Sequence, residues 1–540
     1  MAHARPGVAA DRSHSTGQPF PSSFPPGYCP GSPSSVNSRT GQRVASTISS
    51  PVSSPLALIS TFYRSSYHCA PVTLTVGSPT LAAFSLALTA LNTRWAYNRF
   101  SAINHPNTGN AAKALAYLQQ VPLPITTRDG LLASLIVLPE NDDWWECFVE
   151  RLEQTHTWTI ATATSIVWVI VSFAFTIIDS FTNPGENVSS TGQRIGFLWL
   201  WLIPIVVGWL WVPVCSRDKL RAAIDKANNL AYLAPRDRLS HTNGSPNTNA
   251  PSHRQAIRVH KKEEDFTKDV AMTVPLFNYS RVFMWSQVVE TVAQAFEHAD
   301  RRAGTRVAGG PRKEWVHPGD KHPVNRRDGR TRTISQVQAY CGFPIQGDKE
   351  PIQPAPSGMW TRILIASVFA LGLQWGTTGP AVITTVSTPA TGLGCCSMSF
   401  LLYGIVSTTI WLTLLLSSYL VHYAKMQGPG CNSANLARGL ATFLHWVSVL
   451  AAGCNVFGIL VSCMFQSSGS YSDCYCASSV LGGGSKVAYS TLAAENFGYE
   501  QMNGGWTGGV VLAGGCVFVF LFFLHLVLSR HRSSCNYSWD

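Results

Sequence analysis

Residues 360–425 read WTRILIASVFALGLQWGTTGPAVITTVSTPATGLGCCSMSFLLYGIVSTTIWLTLLLSSYLVHYAK. After Arg362 no charged side chain follows until Lys425. Two apolar runs, 363–386 and 399–420, flank a connection rich in Gly, Thr, Pro and Cys. The hydrocarbon core of a bilayer is about 30 Å thick and takes about 20 helical residues to cross. Both runs are long enough. A water-soluble fold has little reason to hide so much apolar chain without one salt bridge, so the stretch predicts an integral membrane protein.

Working outward, four more runs read as spans: 158–178, 195–214, 440–464 and 510–528. In 195–214, Trp199, Trp201, Trp209 and Trp211 lie near the two ends, as in an interfacial aromatic belt, and Pro204 should kink the helix. The expected fold class is all-α, a polytopic transmembrane helix bundle with six spans. A weaker seventh is conceivable at 74–91. There Leu81, Phe84, Leu88, Leu91 and Trp95 recur at helical spacing with Ser85, Thr89 and Asn92 opposite. That pattern suits an amphipathic helix under a membrane or against other helices better than a span.

The chain of 540 residues is 46% hydrophobic and 13% charged, against about a quarter charged in ordinary soluble domains. Residues 1–55 are rich in Ser, Pro and Gly and read as a disordered tail without the apolar core of a secretory signal peptide. Residues 56–157 read as a cytosolic or membrane-associated helical segment, 158–215 as a transmembrane hairpin, and 360–530 as a four-span block followed by a short cytosolic tail, 531–540. Between them, 216–359 is a basic, partly disordered loop. It holds 23 Lys and Arg against 15 Asp and Glu, so 23 − 15 = +8 of the net +11 sits there.

Inside that loop Val282, Trp285, Val289, Val292 and Phe296 form a helical stripe within 280–299, with Gln287, Glu290, Gln294 and Glu297 turned away. The simpler reading packs the stripe on the protein's own helices; a membrane-surface or partner-binding helix is the alternative. The expected partners are the lipid bilayer and, at 216–359, an anionic lipid or a cytosolic protein. Nucleic acid is not expected, because no recognition motif or interleaved aromatic platform accompanies the charge.

Basic residues set the orientation. Arg151, Arg217, Lys219, Arg221, Arg362, Lys425, Arg438, Arg530 and Arg532 flank the spans on one side, against Arg194 and Lys486 on the other. Positive-inside reasoning puts the large loop and the C-terminus in the cytosol, in a plasma membrane or endomembrane. The sequon at Asn187 then falls outside and is a candidate glycosylation site.

Several segments resemble a group of uncharacterised multi-pass membrane proteins of filamentous fungi. They are LPENDDWW (138–145), TWTIATATSIVWVIVSFAFTIIDSF (157–181), PLFNYSRVFMWSQVVETVAQAF (275–296), LQWGTTGPA (373–381), TGLGC (391–395), LLYG (401–404) and CYCASS (474–479). The resemblance covers most of the chain from about Gly77 onward and implies a polytopic membrane location. It implies no activity. The group carries a basic residue where this chain has Cys396, so a shared role for that thiol does not follow.

Candidate chemistry is sparse. Gln374-Trp375-Gly376-Thr377-Thr378-Gly379-Pro380 interrupts the third span. An unwound segment there would offer carbonyls and a half-helix end to a solute, with Gln374, Thr377, Thr378 and, from the fifth span, Asn455 along the path; a proline kink or early helix end is the plainer reading. His445 and His525 are further intramembrane polar groups, more simply read as interhelical hydrogen-bond partners. No acid, Lys or Arg sits mid-span, which argues against a proton pump or voltage sensor. No catalytic, cofactor or metal constellation presents itself, so a non-enzyme without cofactor is expected. Cys395, Cys396, Cys474 and Cys476 fall on the predicted outer side. A disulfide from Cys395 to Cys474 or Cys476 is expected, the two alternatives being equivalent in sequence. The functional expectation is a membrane scaffold or sensor; the alternative is a small-solute transporter or channel with its site at 374–380.

Overall fold

The computed structural model describes residues 69–120, 130–152, scattered positions from 163 to 178, 191–212, 217–234, 281–305, 334–343, 358–387, 393–427, 431–467, 471, 476 and 499–536. The expected tail 1–55 lies outside these residues. Among them every regular element is helical: α1 (Cys69–Gly77), α2 (Pro79–Phe100), α3 (Thr108–Tyr117), α4 (Leu131–Val137), α5 (Asp142–Leu152), α6 (Thr191–Trp199), α7 (Leu202–Trp211), α8 (Arg217–Asn228), α9 (Val282–Thr305), α10 (Ile334–Tyr340), α11 (Met359–Ser387), α12 (Cys395–Met426), α13 (Asn432–Ser467) and α14 (Tyr499–Asn536).

Four helices are long and apolar enough to cross a membrane: Met359–Ser387, Cys395–Met426, Asn432–Gln466 and Gly504–Ser529. Their polarity is inverted relative to a soluble bundle. Leu364, Phe443, Leu450 and Phe518 point outward, and Phe457 is 71% exposed, whereas Gln374, Thr377, Thr378 and Ser407 are wholly buried. An apolar belt of this size is a liability in water and the normal state in lipid.

The other two expected spans stand differently. Segment 158–178 lies partly outside the described residues; its described positions are helical and Phe173 meets Phe197 edge-on at 5.6 Å. Segment 195–214 is sharply kinked into two helices, α6 and α7, and its apolar run Ile195–Trp211 is shorter than the other four. Pro204 has no N–H to offer the Leu200 carbonyl. Ile203 N–H serves that carbonyl instead at 3.3 Å, and Leu200 N–H turns back to the Phe197 carbonyl at 3.2 Å. The helix tightens and breaks one turn before the proline.

The long helices alternate in direction. Along α11 and α14, Ser387 lies against Gly505, Thr384 against Gly509 and Phe369 on Phe523, one number falling as the other rises. Gly505, Gly509 and the buried Ala513 recur every four residues and form a small-residue seam that lets α14 approach α11 closely. On α12 and α13 the hydroxyl pairs Thr413–Ser448 (2.6 Å) and Ser399–Ser462 (2.7 Å) mark a second antiparallel seam.

Helix α2 overturns the amphipathic reading of 74–91. Ser85, Thr89 and Asn92, the expected polar face, are as buried as Phe84 and Leu88 opposite. Two hydroxyls of α2 are satisfied within the helix: Thr89 Oγ1 donates to the Ser85 carbonyl at 2.7 Å and Thr93 Oγ1 to the Thr89 carbonyl at 2.8 Å. Such back-bonded hydroxyls need no water, and residues 79–90 of α2 are buried on every face, whereas Asn98 near its end is exposed.

A second core lies at the end of the bundle where α11 begins. It gathers Phe100, Leu115, Leu132, Trp144, Trp145 and Phe148 with Leu220 and Ile224 of α8, Trp285 to Ala299 of α9, and Val337 and Tyr340 of α10. The stripe Val282, Trp285, Val289, Val292 and Phe296 is buried against the protein's own helices. Asn141, just before α5, bridges two other segments of this core. Its Nδ2 donates to the Ser134 carbonyl (2.8 Å) and the Tyr232 carbonyl (3.0 Å), and its Oδ1 accepts from Tyr232 N–H (2.7 Å). Among the described residues only α2 and α9 contribute to both cores: Leu81 to Ala90, Val282 and Phe283 belong to the bundle, and Ala96, Phe100 and Trp285 onward to the second core. Arg99 ties the two helices by ion pairs to Glu290 and Glu297, each at 3.0 Å.

Candidate functional site

The helical interruption expected in the third span is not there. α11 runs unbroken from Met359 to Ser387 with Pro380 inside it. The break lies instead between α1 and α2, at Gly77-Ser78-Pro79. Pro79 cannot donate a helical hydrogen bond and drives the residue before it out of the helical region; Ser78 accordingly has φ −145° and ψ 84°. Ser78 then caps α2, its Oγ accepting from Leu81 N–H at 3.3 Å, with the proline at the first helical position.

Breaking a helix frees backbone groups, and three of those freed here have side-chain partners from other helices. The Val76 carbonyl accepts from Tyr403 Oη of α12 at 2.8 Å. The Gly77 carbonyl accepts from Asn455 Nδ2 of α13 at 2.8 Å. Thr80 N–H reaches Ser407 Oγ of α12 at 3.5 Å. Ser78 Oγ in turn donates to the Ser407 carbonyl at 2.8 Å. The network continues into α11: Ser407 Oγ donates to Gln374 Oε1 at 3.4 Å, and Gln374 Nε2 to Thr378 Oγ1 at 2.7 Å. Thr377 Oγ1 donates back to the Leu373 carbonyl at 3.0 Å.

Gln374 is 13 residues from the end of α11, Ser407 12 from the start of α12, and Asn455 12 from the end of α13. At 1.5 Å per residue these groups all lie about 18–20 Å in from the same end of the bundle. The break is thus at mid-depth, where an unpaired carbonyl is costly. Gly77 permits the approach: a Cβ on it would stand 2.5 Å from the Ala452 carbonyl oxygen. The sequence candidates Gln374, Thr378 and Asn455 therefore do converge, together with Thr377 on the same helix face, but on a break contributed by residues 76–79. The signal that locates it, Ser-Pro after Gly at the head of a helix, is present in the sequence.

At the end of the bundle where α11 stops and α12 starts, Cys395, the first residue of α12, is disulfide-bonded to Cys476, with Cα atoms 4.9 Å apart. Tyr471 Oη reaches Ser462 Oγ at 3.4 Å and pins the same segment to the α12–α13 seam. Cys474 and Asn187 lie outside the described residues. His445 is buried beside Trp446, and His525 meets Trp211 edge-on at 6.1 Å. Among the described residues no cluster of His, Cys, Asp or Glu is arranged to hold a metal.

The arrangement defines a helical integral membrane protein whose deepest polar groups are neutral and bonded to one another. No family model matches the chain, and neither a curated protein nor a solved structure matches it.

Proposed function

We propose that the protein is a non-enzymatic membrane scaffold or sensor, with six membrane passes and the second core held on its cytosolic face. The observation that carries this reading is the sharing of α2 and α9 between the two cores. One helix is buried in the bundle at its start and in the second core at its end, so a displacement in either is felt by the other. The six passes take in segments 158–178 and 195–214, whose composition matches a membrane hairpin. The basic residues flanking the spans support a cytosolic C-terminus in a plasma membrane or endomembrane. The resemblance to multi-pass proteins of filamentous fungi is consistent with that location.

A second reading is favoured by one feature, the break at residues 77–79. Discontinuous helices at mid-depth commonly hold substrates or ions in transporters. Here Tyr403 and Asn455 already fill the freed carbonyls, so a solute would enter only by displacing them. Complementation of a deletion strain separates the two readings. A platform tolerates Gln374→Leu with Thr378→Val at normal expression and fails when Arg99→Glu uncouples α2 from α9. A transporter shows the reverse. A reporter fused after Asp540 tests orientation, and a glycosylated or luminal reporter would invert it.

A further inference from the structure

Arg362 stands in the first turn of α11, where the two cores meet, and is 6% exposed. A buried guanidinium has five N–H donors to satisfy. Only Nη1 makes a short bond, 2.6 Å to Asn92 Oδ1 of α2. Nη2 lies 3.5 Å from Ser286 Oγ of α9, and Nε lies 3.4 Å from the Gly358 carbonyl, both near the limit of a hydrogen bond. The Trp95 ring covers the cation at 4.0 Å. Among the described residues no carboxylate pairs with Arg362; Glu290 and Glu297 are engaged by Arg99.

Among the described residues the surroundings add donors and no carboxylate that bonds Arg362. Asn92 Nδ2, on the carboxamide that holds Arg362, is fully buried and has no hydrogen-bond partner. The opening amides of α11 precede its first internal bond, Arg362 N–H to the Gly358 carbonyl, and so present a positive helix end beside a positive side chain. A cation in the first turn of a helix is unfavourable unless an anion shares the site. Among the described residues the approach is open at Gly358, which has φ +77° and no described atom within 4 Å of the point where a Cβ would stand.

We propose that Arg362, Asn92 Nδ2 and the opening turn of α11 bind a phosphate group, delivered either by an anionic phospholipid at the membrane surface or as free phosphate. The anion takes the under-used Nε and Nη2 donors and the Asn92 amide, and so ties α11 to α2 at the boundary between the cores. The site does not depend on which side of the membrane the second core faces, or on the scaffold reading, so its failure leaves both standing.

The test uses the full-length protein purified in neutral detergent with phosphatidylcholine. It is titrated separately with phosphatidic acid, more phosphatidylcholine and inorganic phosphate, and read by native mass spectrometry and thermal unfolding. Wild type should retain phosphatidic acid over phosphatidylcholine and unfold at a higher temperature with it. A comparable shift with inorganic phosphate alone assigns the site to the free anion. Arg362→Gln should abolish the preference. Asn92→Asp is the decisive variant, because it supplies Arg362 with an internal carboxylate. It should melt at or above wild type without added anion and lose the response to phosphatidic acid and phosphate. No anion preference in wild type, or an undiminished response in a folded Asn92→Asp protein, overturns the proposal.

Discussion

Asn455 Nδ2 donates to the carbonyl of Gly77 at 2.8 Å across 378 positions of sequence, and the same nitrogen reaches the Tyr403 carbonyl at 3.3 Å. One carboxamide thus joins the end of α1 to both α12 and α13 inside the bundle.

Asn455→Leu keeps the volume and removes the donor. Membrane hydrogen bonds average about 0.6 kcal/mol in pairwise coupling, but a carbonyl left unpaired in a packed interior costs about 1–3 kcal/mol. The Gly77 carbonyl has no helical donor to fall back on, so the larger figure applies. Tyr403→Phe, which strips the Val76 carbonyl, should cost a similar amount. Unfolding in detergent would measure both, and unchanged stability in either would show that the break is satisfied in some other way.

The seam between α11 and α14 is sensitive to single methyl groups. A Cβ on Gly505 would stand 2.7 Å from Ser387 Oγ, and one on Gly509 3.1 Å from Thr384 Oγ1 and 3.3 Å from the Phe197 ring. Gly505→Val and Gly509→Val should each lose about 1–3 kcal/mol through overpacking. Gly508 and Gly514 have nothing within 4 Å, so alanine there should be neutral or stabilising by up to about 1 kcal/mol. Equal effects in the two sets would remove the seam from the account.

Hydrogen bonding to Arg99 holds the Glu297 carboxyl below its usual range. The folded protein therefore binds that proton less tightly than the unfolded chain, whose carboxyl titrates near about 4.3. The pair adds stability above that pH and loses it as pH falls through the lower folded value. Because the Glu297 side chain is 40% exposed, the contribution is under about 1 kcal/mol. Glu297→Gln should melt below wild type at pH 7 and converge with it as pH falls through the lowered folded value. An offset independent of pH would refute the linkage.

Cysteine mapping without reduction should find Cys395 linked to Cys476. Cys476→Ser should lower stability by about 2–4 kcal/mol, typical of an intact loop cross-link. A free Cys395 thiol in protein blocked before extraction would contradict the structure.

What the sequence made legible follows from which physical signal was uncontested. The α9 stripe was readable because Val282, Trp285, Val289, Val292 and Phe296 alternate with acids and amides that are only half-buried. The long apolar helices were readable from charge depletion alone. Helix α2 was misread because Ser85, Thr89 and Asn92 look like a wetted face, whereas all three are buried, the Thr89 hydroxyl bonds back to the Ser85 carbonyl and Asn92 holds Arg362. The break was sought at Pro380, where the proline falls late in a helix anchored along both flanks. It occurs at Pro79, where glycine and a serine cap make interruption cheap. The seam at Gly505 and Gly509 carries a small-residue period that the apolar runs around it concealed.

The scattered origin of the second core governs how this chain must be made. Its layers come from residues 96–152, 220–234, 285–299 and 337–341, so the last contributor leaves the ribosome long after the first. At about 5–20 residues per second, the roughly 240 residues between Ala96 and Cys341 take about 12–50 seconds to synthesise. From their own synthesis until α9 and α10 emerge, Trp144, Trp145 and Phe148 lack the rest of this core. A nascent chain halted before residue 341 would display that apolar surface to chaperones and quality-control factors, and a fragment of residues 69–152 alone should not yield a folded unit.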